Sequence, residues 1–252
     1  MINFFRKIRK QLADDNKPLK YMRYAIGEIV LVVIGILIAL QVNNWNQSNN
    51  EKILEKEYLS RLLQDLDFDI KSFRTTIRLD SSKVENARLL LQKFKQAEIW
   101  TEDDLANVYR EFVINANLNV QRVTIDEIKS SGRITLIRNK DLRLHMMTYY
   151  ANLEKTLSVS SKNNDHAQVW NRILLKEIDM NSMLQAFDLN IPEVDSMDLT
   201  YFNTTSKNPL KEGIQNFASL KVLTSSYNLR QYRNRLNEAQ ELKRHIIDYL
   251  NN

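Results

Sequence analysis

The run from Ala25 to Val42, AIGEIVLVVIGILIALQV, constrains this chain more than any other feature. Its polar members, Glu28 and Gln41, lie near its two ends. A helix rises about 1.5 Å per residue, so about 20 apolar residues cross the hydrocarbon of a bilayer. The run reads as a transmembrane helix over residues 24–42. Tyr21 and Tyr24 before it and Trp45 after it stand where aromatic belts form. A cleaved signal peptide is the alternative. The run is longer than an ordinary h-region, however, and its exit, Ala39-Leu40-Gln41-Val42-Asn43-Asn44, offers no A-x-A site. The expectation is an uncleaved anchor.

Charge gives the anchor a direction. Residues 1–23 hold seven basic and two acidic groups, which accounts for the whole formal charge of +5; the rest nets zero. Basic residues before a span stay on the cytoplasmic side, so residues 46–252 are expected outside the cytoplasm. A neutral outer domain does not suggest a nucleic-acid partner. In the tail, Phe4, Phe5, Ile8 and Leu12 share one side at helical spacing, flanked by Arg6, Lys7, Arg9 and Lys10. Such a segment either lies on the inner leaflet as an amphipathic helix or simply supplies topology charges. A tail of this size is too small for an enzyme or output domain. Within the span, Gly35 and Ala39 form a small-xxx-small pair that permits close helix approach, hence a homo-oligomer. Glu28, about one turn inside the edge, is a candidate for pairing with a cation or carrying protons.

Beyond the span no Gly or Pro occurs between Gly35 and Gly132, which favours long helices. From Leu59 the apolar positions step by four and three through Leu63, Leu66, Ile70, Phe73 and Ile77, meet Asp80, and resume at Val84, Ala87, Leu91 and Phe94. This 3.5-residue repeat predicts a stem helix over about 46–97. Whether it runs through Asp80 is left open, since Ser82-x-x-Glu85 has the form of a capping box that would restart it. Thr101 followed by Glu102, Asp103 and Asp104 predicts a cap and a helix to about Ala116. Thr124-x-x-Glu127 reads as a second capping box, with Gly132 ending a short helix. Asn139 caps a helix from Lys140 to about Asp179. Residues 180–213 look irregular, and a last helix spans Ile214 to Leu250. The fold class expected is all-α: one N-terminal transmembrane helix, then an extracytoplasmic antiparallel helical bundle built on the long stem.

Tyr24-Ala-Ile-Gly-Glu-Ile-Val-Leu-Val-Val-Ile-Gly-Ile-Leu-Ile-Ala-Leu-Gln-Val-Asn-Asn-Trp-Asn46, with Phe4-Phe5-Arg6-Lys7-Ile8-Arg9 ahead of it, resembles an uncharacterised family of single-pass proteins of Gram-negative bacteria, a domain of unknown function. Asp126-Glu127-Ile128-Lys129-Ser130-Ser131-Gly132, Ile137-x-Asn139, Leu142-Arg143 and Tyr149-Tyr150 are similar to that family's middle region. The resemblance extends to about residue 155. It implies a bacterial inner-membrane protein with a cytoplasmic N-terminus and a periplasmic domain. It implies no activity, so no catalytic residue follows from it. Read by their physics, these residues form a helix–turn–helix corner. Gly132 takes the left-handed position, and Arg143, Tyr149 and Tyr150 seal the corner by packing and hydrogen bonds. A ligand pocket there is the alternative.

Chemistry is sparse. The absence of cysteine removes disulfides, thiolate nucleophiles and cysteine-type zinc sites. His145, His166 and His245 form no H-E-x-x-H or H-x₃-H pair, so no metal site is expected unless folding brings them together. Asp65, Asp67 and Asp69 alternate around a helix and do not make a calcium loop. No phosphate loop, nucleophile elbow or cofactor fingerprint occurs. The expectation is a non-enzymatic, membrane-anchored helical scaffold without cofactor, whose partners are the lipid bilayer and another protein or a second copy of itself. Two alternatives stand beside it: a ligand-sensing bundle that signals through a partner, and a single-pass subunit of a proton-driven envelope complex using Glu28. The candidate functional residues are Glu28, Gly35, Ala39, Glu127, Ser130, Ser131, Gly132, Arg143, Tyr149 and Tyr150.

Overall fold

The structure is a computed structural model that describes residues 18–101, 104, 107–108, 118–177, 199–205 and 208–251. The amphipathic tail at 1–17, most of the helix expected over 101–116 and the stretch 178–198 lie outside the described residues. Among those described, every regular element is helical: α1 (Pro18–Gln96), α2 (Val123–Ser130), a 3-10 turn (Arg133–Leu136), α3 (Lys140–Glu177), α4 (Thr200–Thr204) and α5 (Pro209–Asn251). The chain divides into two units, residues 1–57 and 58–252.

In the first unit α1 carries the apolar run. It is long and apolar enough to cross a membrane, and none of the described residues buries its apolar run. The large apolar side chains from Val30 to Leu40 are 47–68% exposed on every side of the helix. A helix that is apolar all round is matched to a hydrocarbon surround rather than to water.

In the second unit α1 passes Asp80 without a break, so Ser82-x-x-Glu85 caps nothing. Its buried line runs through Leu59, Leu62, Leu66, Asp69, Phe73, Thr76, Asp80, Val84, Ala87 and Leu90. Asp80 is therefore an interior position held in a helix, not a turn. Burial pushes its carboxyl up from the usual range, while the charges of Lys83 and Lys221 pull it down. The stem ends in a Schellman motif: Ala97 takes φ +50, its N–H reaches the carbonyl of Phe94, and the Glu98 N–H reaches that of Lys93.

Side-chain pairs give the helix directions. Asn152 meets Glu238, Ser160 meets Tyr232 and Asn163 meets Asn228, so α5 runs antiparallel to α3. Asp67 meets Lys243 and Phe73 meets Tyr232, so α5 is also antiparallel to α1. Tyr149 meets Asp69, and eighteen residues further along both helices Ala167 and Ala87 share one apolar cluster. Hence α3 runs parallel to α1. Trp100 lies in that cluster, and Gln121 is already beside Asp69.

That cluster joins Ala87, Leu90, Trp100, Ala167, Phe202, Ile214 and Phe217, among others. Trp100 packs against Phe94 and Phe202, and Asn203 clasps its backbone, accepting from its N–H at 2.8 Å and donating to its carbonyl at 3.0 Å. Two boundaries differ from expectation. A short helix, α4, occupies Thr200–Thr204 within the stretch read as irregular, and α5 starts at Pro209 rather than Ile214. Asn208 is its cap, its Oδ1 accepting from Leu210 and Lys211, and Pro209 fills the first helical position, where a missing N–H is harmless.

Candidate functional site

The similar-looking block Asp126–Tyr150 does fold into one corner, packed on the start of the second unit's part of α1. The α2 segment is too short to be stable alone, so its ends depend on tertiary partners. Its first amides are not served by the expected capping box. Arg122 precedes the helix with no side-chain cap, and Thr124 and Glu127 both lie inside α2. The stem supplies an acceptor instead: Asp65 Oδ2 takes the Thr124 N–H at 3.3 Å, while Asp69 Oδ1 takes the N–H of Gln121, just before the helix, at 2.8 Å. Carboxylates suit this place, because a helix start presents free N–H groups and a partial positive charge.

Glu127, released from capping, turns to the stem. Its Oε1 accepts from the Tyr58 hydroxyl at 2.9 Å and its Oε2 from Arg61 at 2.5 Å. Arg133, just after the turn, donates to the same Tyr58 oxygen at 3.0 Å. The hydrogen bonds from Arg61 and Tyr58 hold the Glu127 carboxyl below its usual range. Ser131 donates to the Glu127 carbonyl at 2.7 Å and Ser130 to the same oxygen at 3.2 Å, closing the last turn of α2. Gly132 follows at φ +69, the left-handed position expected of it. Asn139 caps α3 through the N–H groups of Asp141 and Leu142, as expected, and Arg143 donates to the Ile137 carbonyl at 3.1 Å.

Beneath the corner lies its buried part. Tyr149 and Tyr150 are 2% and 1% exposed and meet edge to face at 4.9 Å. The Tyr149 hydroxyl donates to Asp69 Oδ2 at 2.9 Å. Asp69 is fully buried. Burial pushes its carboxyl up to about 6, against the lowering pull of its bonds from Gln121 and Tyr149. Burial and the nearby carboxylate raise both tyrosine hydroxyls well above their ordinary range. The Tyr150 hydroxyl has no hydrogen-bond partner among the described residues.

The ten candidate residues therefore fall into two groups. Glu127, Ser130, Ser131, Gly132, Arg143, Tyr149 and Tyr150 belong to the corner. Glu28, Gly35 and Ala39 lie in the first unit. A Cβ added at Gly35 would meet nothing within 4 Å, so its side is open. The sequence reading missed the stem's half of the corner: Tyr58, Arg61, Asp65 and Asp69. One signal was available. Asp69 lies three residues after Leu66 and four before Phe73, on the apolar side where a charge requires a partner.

The corner's carboxylates act as acceptors that join elements. No group of three His, Cys, Asp or Glu side chains fit to hold a metal is gathered among the described residues. The geometry is that of a latch between a stem and the helices that return to it. Neither a curated protein nor a solved structure matches the chain. A sequence model does match residues 28–166, more than half of the chain, which takes in the apolar run from Glu28 onward, the stem and the whole corner. The chain belongs to the family that model describes, DUF6090, a family of unknown function.

Proposed function

We propose that this protein is a membrane-anchored helical scaffold whose outer domain binds another envelope protein. The observation that carries the reading is the latch. Its polar groups Glu127, Asp65, Asp69 and Tyr149 are spent on joining α1, α2 and α3, which is the work of a rigid display platform rather than of a reacting centre. One helix, Pro18–Gln96, carries both the apolar run and the stem, so the anchor is covalently part of that platform.

In this reading the basic tail stays in the cytoplasm of a Gram-negative cell, residues 24–42 cross the inner membrane, and residues 46–252 form the periplasmic domain. Alkaline phosphatase fused after residue 252 is active under this topology and inactive under the reverse one. The partner is sought by in-cell cross-linking of the full-length protein in its native membrane, followed by affinity purification and mass spectrometry. A reproducible envelope protein whose capture survives in the wild type and falls when surface residues of the outer domain are changed supports the scaffold. Capture of self-contacts alone refutes a heteromeric scaffold and leaves a homo-oligomer.

A further inference from the structure

The three histidines are scattered in sequence, yet folding pairs two of them. His145, in the second turn of α3, and His245, near the end of α5, place their Nδ1 atoms 2.9 Å apart. Their rings are inclined by 21° with centroids 4.8 Å apart. The antiparallel course of α3 and α5 brings them together across 100 residues. Both side chains are exposed, so solutes reach them. They line a cleft of about 190 Å³ together with Glu238 and Glu241, the latter one turn before His245 on the same helix.

From this geometry we infer that His145 and His245 form a binding site for a divalent first-row transition cation, with Cu²⁺ and Ni²⁺ favoured over Zn²⁺. Two nitrogen ligands about 2.0–2.1 Å from a cation and at right angles to each other stand roughly 2.9 Å apart. The distance already present is thus the bite of a square-planar or octahedral centre; a tetrahedral centre needs a wider one. Without metal, one imidazole donates its Nδ1–H to the other. When the cation enters, that proton passes through solvent to Nε2 of the same ring, which frees both Nδ1 lone pairs for the ion. Solvent completes the coordination, and the carboxylate of Glu241 adds negative charge to the cleft, that of Glu238 being paired with Arg235. The bound ion ties α3 to α5 beside the Tyr149 end of the latch, since Tyr149 lines the same cleft. This site stands whether or not the outer domain is a scaffold.

The test uses the full-length protein in mild detergent, stripped with chelator and purified without a polyhistidine tag. NiCl₂ and ZnCl₂ are titrated calorimetrically, and melting temperature is followed by circular dichroism. One ion per chain, nickel tighter than zinc, and a melting temperature that rises with metal are expected. His145→Gln and His245→Gln each weaken binding by at least about tenfold, the loss a mere supporting partner of a metal ligand already causes. His166→Gln, an exposed histidine elsewhere on α3, leaves it unchanged. Binding that survives either substitution in the pair overturns the inference, as does no binding to the wild type. Should a variant not fold, paramagnetic resonance of Cu²⁺ on the wild type decides: hyperfine coupling to two imidazole nitrogens supports the site, and one or none overturns it.

Discussion

Asp69 and Tyr149, separated by 80 residues, meet in a buried hydrogen bond of 2.9 Å in which the tyrosine hydroxyl donates to the carboxylate. The other oxygen of Asp69 accepts the Gln121 N–H at 2.8 Å. One carboxyl thus ties the stem to the segment entering α2 and to α3. It lies where α3, which follows the stem in parallel, begins to pack on it.

This makes stability depend on pH in a definite direction. The Asp69 carboxyl sits at about 6 in the folded protein against 3.8 for an ordinary aspartate. Between these values the folded chain holds a proton that the unfolded chain has released, so stability falls as pH rises from about 4 to about 6 and levels off above. At roughly 1.36 kcal/mol per unit, the difference is on the order of 3 kcal/mol. Asp80, also raised, acts with the same sign. Asp104 and Glu127, both lowered, act with the opposite sign and lose their contribution as pH falls below the ordinary carboxylate range. Denaturant titrations of the full-length protein in detergent between about pH 4.5 and 7.5 are expected to show the decline, and Asp69→Asn to flatten it. A slope unchanged by Asp69→Asn would show that the carboxyl is not the source.

The two neighbouring tyrosines are expected to respond differently to loss of the hydroxyl. Tyr149→Phe removes a donor from a buried carboxylate and costs about 1–3 kcal/mol. The cost is larger at pH 7 than at pH 4.5, because it falls on the ionised acid. Tyr150→Phe removes a hydroxyl that is buried without a partner among the described residues, so it is neutral or mildly stabilising. Equal losses in the two variants, read from the same denaturant titrations, would mean that packing rather than the Asp69 bond sets their effect.

How far the sequence revealed this design depended on whether the signal was local. The apolar run, the Gly132 turn and the Asn139 cap are legible because each is decided within a few residues. The α5 start was legible too, in Asn208-Pro209, a cap followed by the residue best suited to the first helical position. Both residues also occur in loops, so the pair alone does not separate a helix start from the irregular stretch expected over 180–213. The half of the corner contributed by the stem was not legible. Thr124-x-x-Glu127 has the spacing of a capping box, yet Asp65 arrives from 59 residues away and takes the Thr124 amide. Asp80 resembles a break in the heptad pattern because Lys221, which with Lys83 offsets its charge, is remote in sequence. The His145–His245 pair likewise exists only through the antiparallel packing of α3 and α5.

Backbone conformation gives a pair of opposed substitutions. Gly132 has φ +69 and a Cβ added there meets nothing within 4 Å, so Gly132→Ala carries only the left-handed strain, about 1 kcal/mol of lost stability. Ala97 already carries that strain at φ +50 in the Schellman turn that ends α1. Ala97→Gly should therefore stabilise, by up to about 1 kcal/mol once the greater freedom of glycine in the unfolded chain is offset. Thermal melts of both variants check the pair. A destabilised Ala97→Gly would mean that the α1 end does not hold this conformation in solution.

The start of α2 offers the sharpest contrast between a local and a tertiary cap. Were Thr124 the cap, Thr124→Val would cost about 1 kcal/mol through its lost hydroxyl and Asp65→Ala would be nearly neutral. In the structure Thr124 lies inside the helix and is 2% exposed, while Asp65 accepts its N–H from the stem. The expected order is therefore reversed. Asp65→Ala removes an anionic acceptor at a helix start and costs roughly 1–2 kcal/mol, whereas Thr124→Val keeps the shape of the side chain and costs less. Hydrogen exchange localises the difference. In Asp65→Ala the Thr124 amide loses protection before the rest of α2 does, since that N–H has no acceptor within its own helix. If the Thr124 amide stays protected in Asp65→Ala and is exposed in Thr124→Val, the helix is capped from within and the stem plays no part in starting it.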